Sequence, residues 1–217
     1  MKVKKPKTRQ KDTRQLILDS AERLFAREGF HVTSLRAITG AAGVNLAAVN
    51  YHFGSKEALL EAVFERRLIP LNQVRRDKLE QIRDEAVEKG KRPSTKKVLQ
   101  AFIEPTLRFR DSESGAKDLI ALVGRSFTDP DDTVRKIFFR LIGPIFQLLF
   151  ETLRDALPEL PENLLYWRLH FALGALAHTM HISGCDKFLP VGFSDGCGTE
   201  SLLSMLIPFV TAGMEAS

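Results

Sequence analysis

An all-α fold is predicted, with a small N-terminal helical head on a larger helical body. Three observations carry this. Apolar residues recur at helical spacing in almost every segment of the 217-residue chain. No stretch sustains the period-two alternation of a half-buried strand. Glycine, proline and capping residues fall where short and medium helices would start and stop. The expected division is a basic tail without order at 1–12, a helix-turn-helix head at 13–60 and a helical body at 61–217.

The elements follow in chain order. Ile17, Ala21, Leu24 and Phe25 stand at i, i+4, i+7 and i+8 and make one buried stripe on the first helix, with Gly29 expected as its left-handed cap. Thr33 or Ser34 caps a second short helix, with Leu35, Ile38 and Ala42 inward, and Gly43 ends it. Asn45 caps a third, from Leu46 to about His52, in which Val49 and Phe53 form the inward pair. Gly54 breaks that helix. Ser55 caps a long fourth helix, with acidic Glu57 in its first turn, a kink expected at Pro70 and an end at the Lys89–Pro93 loop. Body helices are expected at 94–110, 116–127, 132–157, 161–183 and 199–216. A glycine-rich loop fills 184–198.

Composition narrows the function. No apolar run approaches the roughly 18–20 residues of a spanning helix; Leu141–Phe150 and Leu169–Ala177 are too short, so no membrane partner is expected. The basic start has no apolar segment of signal-peptide type after it. Two cysteines, Cys185 and Cys197, are too few for a disulfide framework, and a cytoplasmic setting is expected. Charge is uneven. Residues 1–56 carry eleven Lys/Arg against four acids, whereas the remainder is slightly acidic. A basic end on an acidic body points that end toward a polyanion.

The second and third helices are joined by a few residues around Ala42–Asn45, the sequence form of a helix-turn-helix. Close crossing calls for small inward residues, here Ala37, Ala41 and Ala42. With Val49 and Phe53 inside, Leu46, Ala47, Asn50 and Tyr51 point outward, toward a major groove about 12 Å wide. Asn50 has the amide to pair with N6 and N7 of adenine, and Leu46, Ala47 and Ala48 suit thymine methyls. Tyr51, His52 and Lys56 suit the flanking phosphates, as do Thr33 and Ser34 at the start of the second helix. Arg36 reaches a phosphate or a guanine.

One set of residues goes further than spacing. Ile17, Leu18, Ala21, Leu24, Phe25, Gly29 and Phe30, then Thr33, Ser34, Ile38, Ala41, Gly43 and Val44, then Val49, Tyr51, His52, Phe53, Ser55, Lys56, Leu59 and Leu60 stand at fixed separations. This stretch resembles the DNA-binding domain of the TetR (tetracycline-repressor-like) family. The resemblance implies an all-helical homodimer whose N-terminal head reads a double-stranded DNA operator and whose C-terminal body takes a small ligand. It also implies that two C-terminal helices per subunit pair across the dimer, which directs attention to Leu169, Leu173, Leu176 and Met180 and to Leu202, Leu203, Leu206 and Phe209. The chain departs from the family where Asn45, Leu46 and Ala47 replace the usual Ser, Lys or Gly, and where Asn50 replaces an aromatic. Its operator cannot be borrowed from a relative.

Eleven of the fifteen phenylalanines lie beyond residue 100. Phe102, Phe109, Phe127, Phe138, Phe139, Phe146, Phe150, Trp167 and Phe171 either line an elongated apolar cavity or fill the core. The stretches NLAAVNYHFGS (45–55), WRLHFALG (167–174) and IPFVTAGM (207–214) are similar to a PsrA-type subgroup of TetR regulators. That similarity implies a long-chain fatty acid or acyl-CoA effector, with Arg125, Arg168 or His170 meeting its carboxylate.

No cofactor is expected, and enzymatic activity is not. Gly192–Gly196 spells the G-x-S-x-G of a hydrolase elbow around Ser194, but Pro190 and glycines surround it and no histidine follows His181. His178, His181 and Cys185 share a helix face that Cys197 could approach, without the paired short spacing of a zinc motif. The rival readings are a helical hydrolase using Ser194 and a helical adaptor for protein partners. Neither accounts for the Tyr51–Lys56 spacing.

Overall fold

The computed structural model describes residues 12–112, 115–126, 132–181 and 198–216. Among these residues there are nine helices and no strand. They are α1 (Thr13–Glu28), α2 (Leu35–Ala42), α3 (Leu46–Phe53), α4 (Lys56–Glu88), α5 (Thr95–Ser112), α6 (Ala116–Ser126), α7 (Thr133–Ala156), α8 (Glu162–His181) and α9 (Thr199–Glu215). None of the described helices is long and apolar enough to cross a membrane.

Local chemistry sets the head. The Ala37 amide donates to Ser34 Oγ (3.1 Å), the Ala48 amide to Asn45 Oδ1 (2.9 Å) and the Ala58 amide to Ser55 Oγ (3.0 Å), so three successive helices start on side-chain caps. Gly43 closes α2 in the left-handed region (φ 66°, ψ 32°). Gly29 differs from expectation. Its φ of 92° is positive, but ψ of 158° places it in an extended mirror-image region that the absence of a Cβ opens to glycine. Ile17, Ala21 and Phe25 are wholly buried, and Ile38 and Val49 pack with them. Ala37 and Ala41 face solvent rather than the crossing. The inward positions of α2 belong to Ile38 and to Thr39, whose hydroxyl returns to the Arg36 carbonyl at 3.1 Å.

Helix α4 joins head to body without interruption. Pro70 lies within it on the exposed side, where a missing backbone hydrogen bond is least costly. Two apolar clusters flank its middle. The head-side cluster runs along α4 to Leu68 and takes in Leu119 and Leu122 of α6 and Val134 and Ile137 of α7. The head's core therefore continues past residue 60, the expected boundary. The body cluster starts at Leu79 and holds Phe102, Leu107, Ile145, Leu149, Leu169 and Leu206. Helix α5 packs on α4 and α9, α7 on α4, and α8 on α9.

A charged cluster also ties head to body. Glu22 of α1 is 3% exposed and accepts from Arg66 and from Arg67 (Nε to Oε1, 2.9 Å) of α4, while Arg66 reaches Asp19 at 2.7 Å. Buried Gly115, just before α6, leaves room for these groups: a Cβ there would stand 2.0 Å from Arg67 Nη2 and 2.8 Å from Glu22 Oε1.

Candidate nucleic-acid interface

Helix α3 is one side sealed and one side open. Val49 is 0% exposed and Phe53 is half-buried, with the Arg14 guanidinium 5.4 Å from the centre of its ring. Leu46, Ala47, Asn50 and Tyr51 face solvent, Tyr51 at 86% exposure. Ala48 and His52 are half-buried at the edge of that face, and the Tyr51 and His52 rings meet edge-on at 5.1 Å. Asn45 is exposed too, but its Oδ1 is engaged by the cap, so its amide nitrogen is the group it can offer elsewhere.

The flanking positions divide. Ser34 and Arg36 are exposed at the start of α2. Thr33 is not: it is 0% exposed, its hydroxyl donates to the carbonyls of Gly29 (2.7 Å) and Leu24 (3.2 Å), and its amide goes to Gly29 O at 3.3 Å. The hydroxyl expected at a phosphate instead ties α2 to the end of α1. Lys56 lies where α3 meets α4, half-buried, with Nζ donating to His31 O (3.2 Å) and 4.5 Å from the centre of the Phe30 ring. Burial lowers its pKa, partly offset by Glu57. Those contacts aim the ammonium without using all three of its donors.

Among the described residues expected to line a body cavity, Phe146, Trp167, His170 and Phe171 meet through their rings, largely at the surface. Phe102 is core, 3% exposed, and Phe146 packs against the same cluster with its ring 6.0 Å from His170. Phe139 (50%), Trp167 (56%) and Phe171 (69%) stand on the surface of the chain, and His170 is exposed among them. Phe109 is the one that lines an open cleft of about 300 Å³ between α4 and α5, with Pro70, Leu71, Val74 and Pro105 and a rim that includes Arg66, Lys78 and Arg108. Arg168 donates to the carbonyls of Met214 (2.9 Å) and Ala216 (2.6 Å), holding the end of α9 rather than facing a cavity. Phe127 and the Arg125 side chain lie outside the described residues, as do Ser194, Cys185, Cys197 and the His181 side chain.

Comparison with known proteins decides the family. Residues 17–63 match "Bacterial regulatory proteins, tetR family", and residues 100–213, more than half of the chain, match "Tetracyclin repressor-like, C-terminal domain". The chain belongs to the TetR family. That family is one of bacterial regulatory proteins, and the relatives the chain matches are named as HTH-type transcriptional regulators. The chain is 44% identical over 63 residues to the HTH-type transcriptional regulator AcrR of Shigella flexneri, 29% of each protein. It is 29% identical over 128 residues to the HTH-type regulator YerO of Bacillus subtilis, 59% of this chain and 40% of that one. The match thus spans less than half of either relative. Among solved structures, the Bacillus subtilis regulator FadR in complex with stearoyl-CoA aligns with a TM-score of 0.68 at 14% identity, over 92% of this chain and 98% of that one. The TetR regulator PfmR of Thermus thermophilus aligns at 0.61 and 20%, over 92% and 98%. At such identities these two carry the fold alone.

Within this TetR protein, the leucines expected to pair two subunits are turned inward. Leu169, Leu176, Leu203 and Leu206 are buried in the chain's own core, and Leu173, Met180 and Leu202 pack against it. The outward face of α8 and α9 carries Leu164, Tyr166, Trp167, Phe171, Met205 and Phe209, each at least 40% exposed. One further residue escaped the sequence reading. Arg75 holds a core position on α4, and its signal was present: Leu68, Leu71 and Leu79 keep a helical stripe in which residue 75 is the charged exception.

Proposed function

We propose that this TetR regulator acts as a homodimeric repressor of a near-palindromic operator. Each subunit lays Leu46–His52 in a major groove, and a small apolar effector such as a long-chain fatty acid or acyl-CoA releases it. The observation that carries the reading is the contrast on one eight-residue helix between Val49, sealed at 0%, and Tyr51, open at 86%. A helix fixed from behind presents its outer side chains without first ordering them. Asn50 and the methyl-bearing Leu46, Ala47 and Ala48 supply base contacts; Ser34, Arg36, Asn45, Tyr51, His52 and Lys56 supply phosphate contacts.

Pairing of two subunits is supported by the aromatic face of α8 and α9. Trp167 and Phe171 lie with ring centres 6.3 Å apart on α8, and α9, which packs on α8, exposes Phe209 at 69%. Large contiguous apolar surface on a soluble protein marks an interaction site, and a two-fold partner matches a symmetric operator. The acyl effector is supported by the fold shared with a FadR protein whose structure holds stearoyl-CoA. Release requires unequal ligand affinity for two head spacings, a coupling of about 1–3 kcal/mol or a factor of roughly 5–150.

A gel-shift titration on the DNA upstream of its own gene, repeated with fatty acids and acyl-CoAs, tests this. Binding that loosens with an acyl compound is the expected result. A complex insensitive to every chain length removes that effector class.

A further inference from the structure

Arg75 is 3% exposed, and no carboxylate pairs with it among the described residues. Its partners are neutral. Nη1 donates to Asn72 Oδ1 at 2.8 Å, Nη2 donates to Thr106 Oγ1 at 2.6 Å, and the guanidinium lies 4.1 Å from the centre of the Phe102 ring. Its Nε is buried and has no hydrogen-bond partner. Asn72 continues the layer by donating to Leu141 O of α7 at 3.1 Å. This polar layer crosses α4, α5 and α7 between the head-side cluster, which ends on α4 at Leu68, and the body cluster, which starts at Leu79.

A buried cation is costly unless an anion or a full set of hydrogen bonds meets it. Burial brings Arg75 down to about 9, which still leaves it charged at neutral pH. The fold keeps that charge, and an Nε without a partner, at the junction of its two cores. We infer that Arg75 is the anchor for an anionic group, a carboxylate or a phosphate, on the small effector bound by the body. This deepens the effector reading above and rests on it.

The chemistry fits an anion in particular. A guanidinium presents its N–H groups as a planar fork, and a carboxylate can take Nε and one Nη together. Thr106 gives way readily, because its own hydroxyl hydrogen already goes to Phe102 O at 2.8 Å. The layer is closed here, so admission parts α5 from α4. Helix α4 runs unbroken from the head into this layer, so a ligand that favours the parted form biases the head as well.

Calorimetric titration of the full chain with decanoate, decyl phosphate and decanol tests the anchor. The anions bind and decanol binds far more weakly, with the two anions separating carboxylate from phosphate preference. Arg75→Met weakens the preferred anion about 30-fold or more. Its own melting temperature stays level or rises, because an unpaired buried charge has been removed. Arg75→Gln serves if the Met variant does not fold, and is expected to lose the anion likewise. Absence of anion binding to the wild type, equal binding of decanol, or equal anion affinity in wild type and variant overturns the anchor. If a neutral ligand releases DNA from wild type and variant alike, the effector reading stands and the anchor falls. If anion binding depends on Arg75 but the DNA complex never responds to any ligand, the anchor stands and the effector reading falls.

Discussion

At the scale of single residues, Asn50 and Lys56 divide the work of specificity and affinity. Asn50 is exposed in the middle of α3. Asn50→Ala should cost about 1–3 kcal/mol per half-site at one base pair and little elsewhere; competition binding against single-base operator variants measures it. Lys56 is held by His31 O and the face of Phe30, so its charge is aimed rather than free to wander. Lys56→Ala should weaken every sequence alike and lower the slope of log affinity against log salt by about one; an unchanged slope argues against a phosphate contact. Thr33 shows where residue-level reading of a sequence stops. A threonine before a helix serves equally as a cap or as a phosphate donor. Its actual role, closing Gly29 O and Leu24 O inside the head, depends on how α1 and α2 cross.

At the scale of elements, the helices of the head were legible because their starts carry their own chemistry. Ser34, Asn45 and Ser55 cap α2, α3 and α4 through local hydrogen bonds that need no tertiary partner. Ser34→Ala should cost about 1 kcal/mol of stability, read from denaturant unfolding, without changing the α3 face. The faces of α8 and α9 were less legible. Both helices are apolar nearly all round, so spacing alone cannot say which leucines turn inward. The structure assigns the interior to Leu169, Leu176, Leu203 and Leu206, and the outside to Trp167, Phe171 and Phe209. Phe171→Asp should therefore yield a folded monomer in sedimentation that binds a palindromic site far more weakly than the wild type. An intact dimer would remove α8 from the interface. Arg75 was readable as a break in the α4 stripe, yet its isolation from acids depends on what α5 and α7 bring to it.

At the scale of the whole molecule, head and body share more than a linker. Helix α4 is continuous, α6 and α7 complete the head's apolar core, and Glu22 binds Arg66 and Arg67 across the junction. Removing one member of such a buried cluster leaves the others uncompensated, so Glu22→Gln should cost about 3 kcal/mol or more of stability. Gly115→Ala tests the same junction from the other side. Its new methyl must push the Arg67 guanidinium away from Glu22, and the coupling between effector and DNA should weaken while each still binds. The account as a whole stands on helix α3 entering a major groove in two copies, and a footprint with interference by deazapurines lacking N7, on the DNA upstream of the gene, measures this most directly. Two protected half-sites about one helical turn apart, with interference in their major grooves that changes at one base pair in Asn50→Ala, is the predicted result. Protection without major-groove interference, or a pattern that Asn50→Ala leaves untouched, would contradict it.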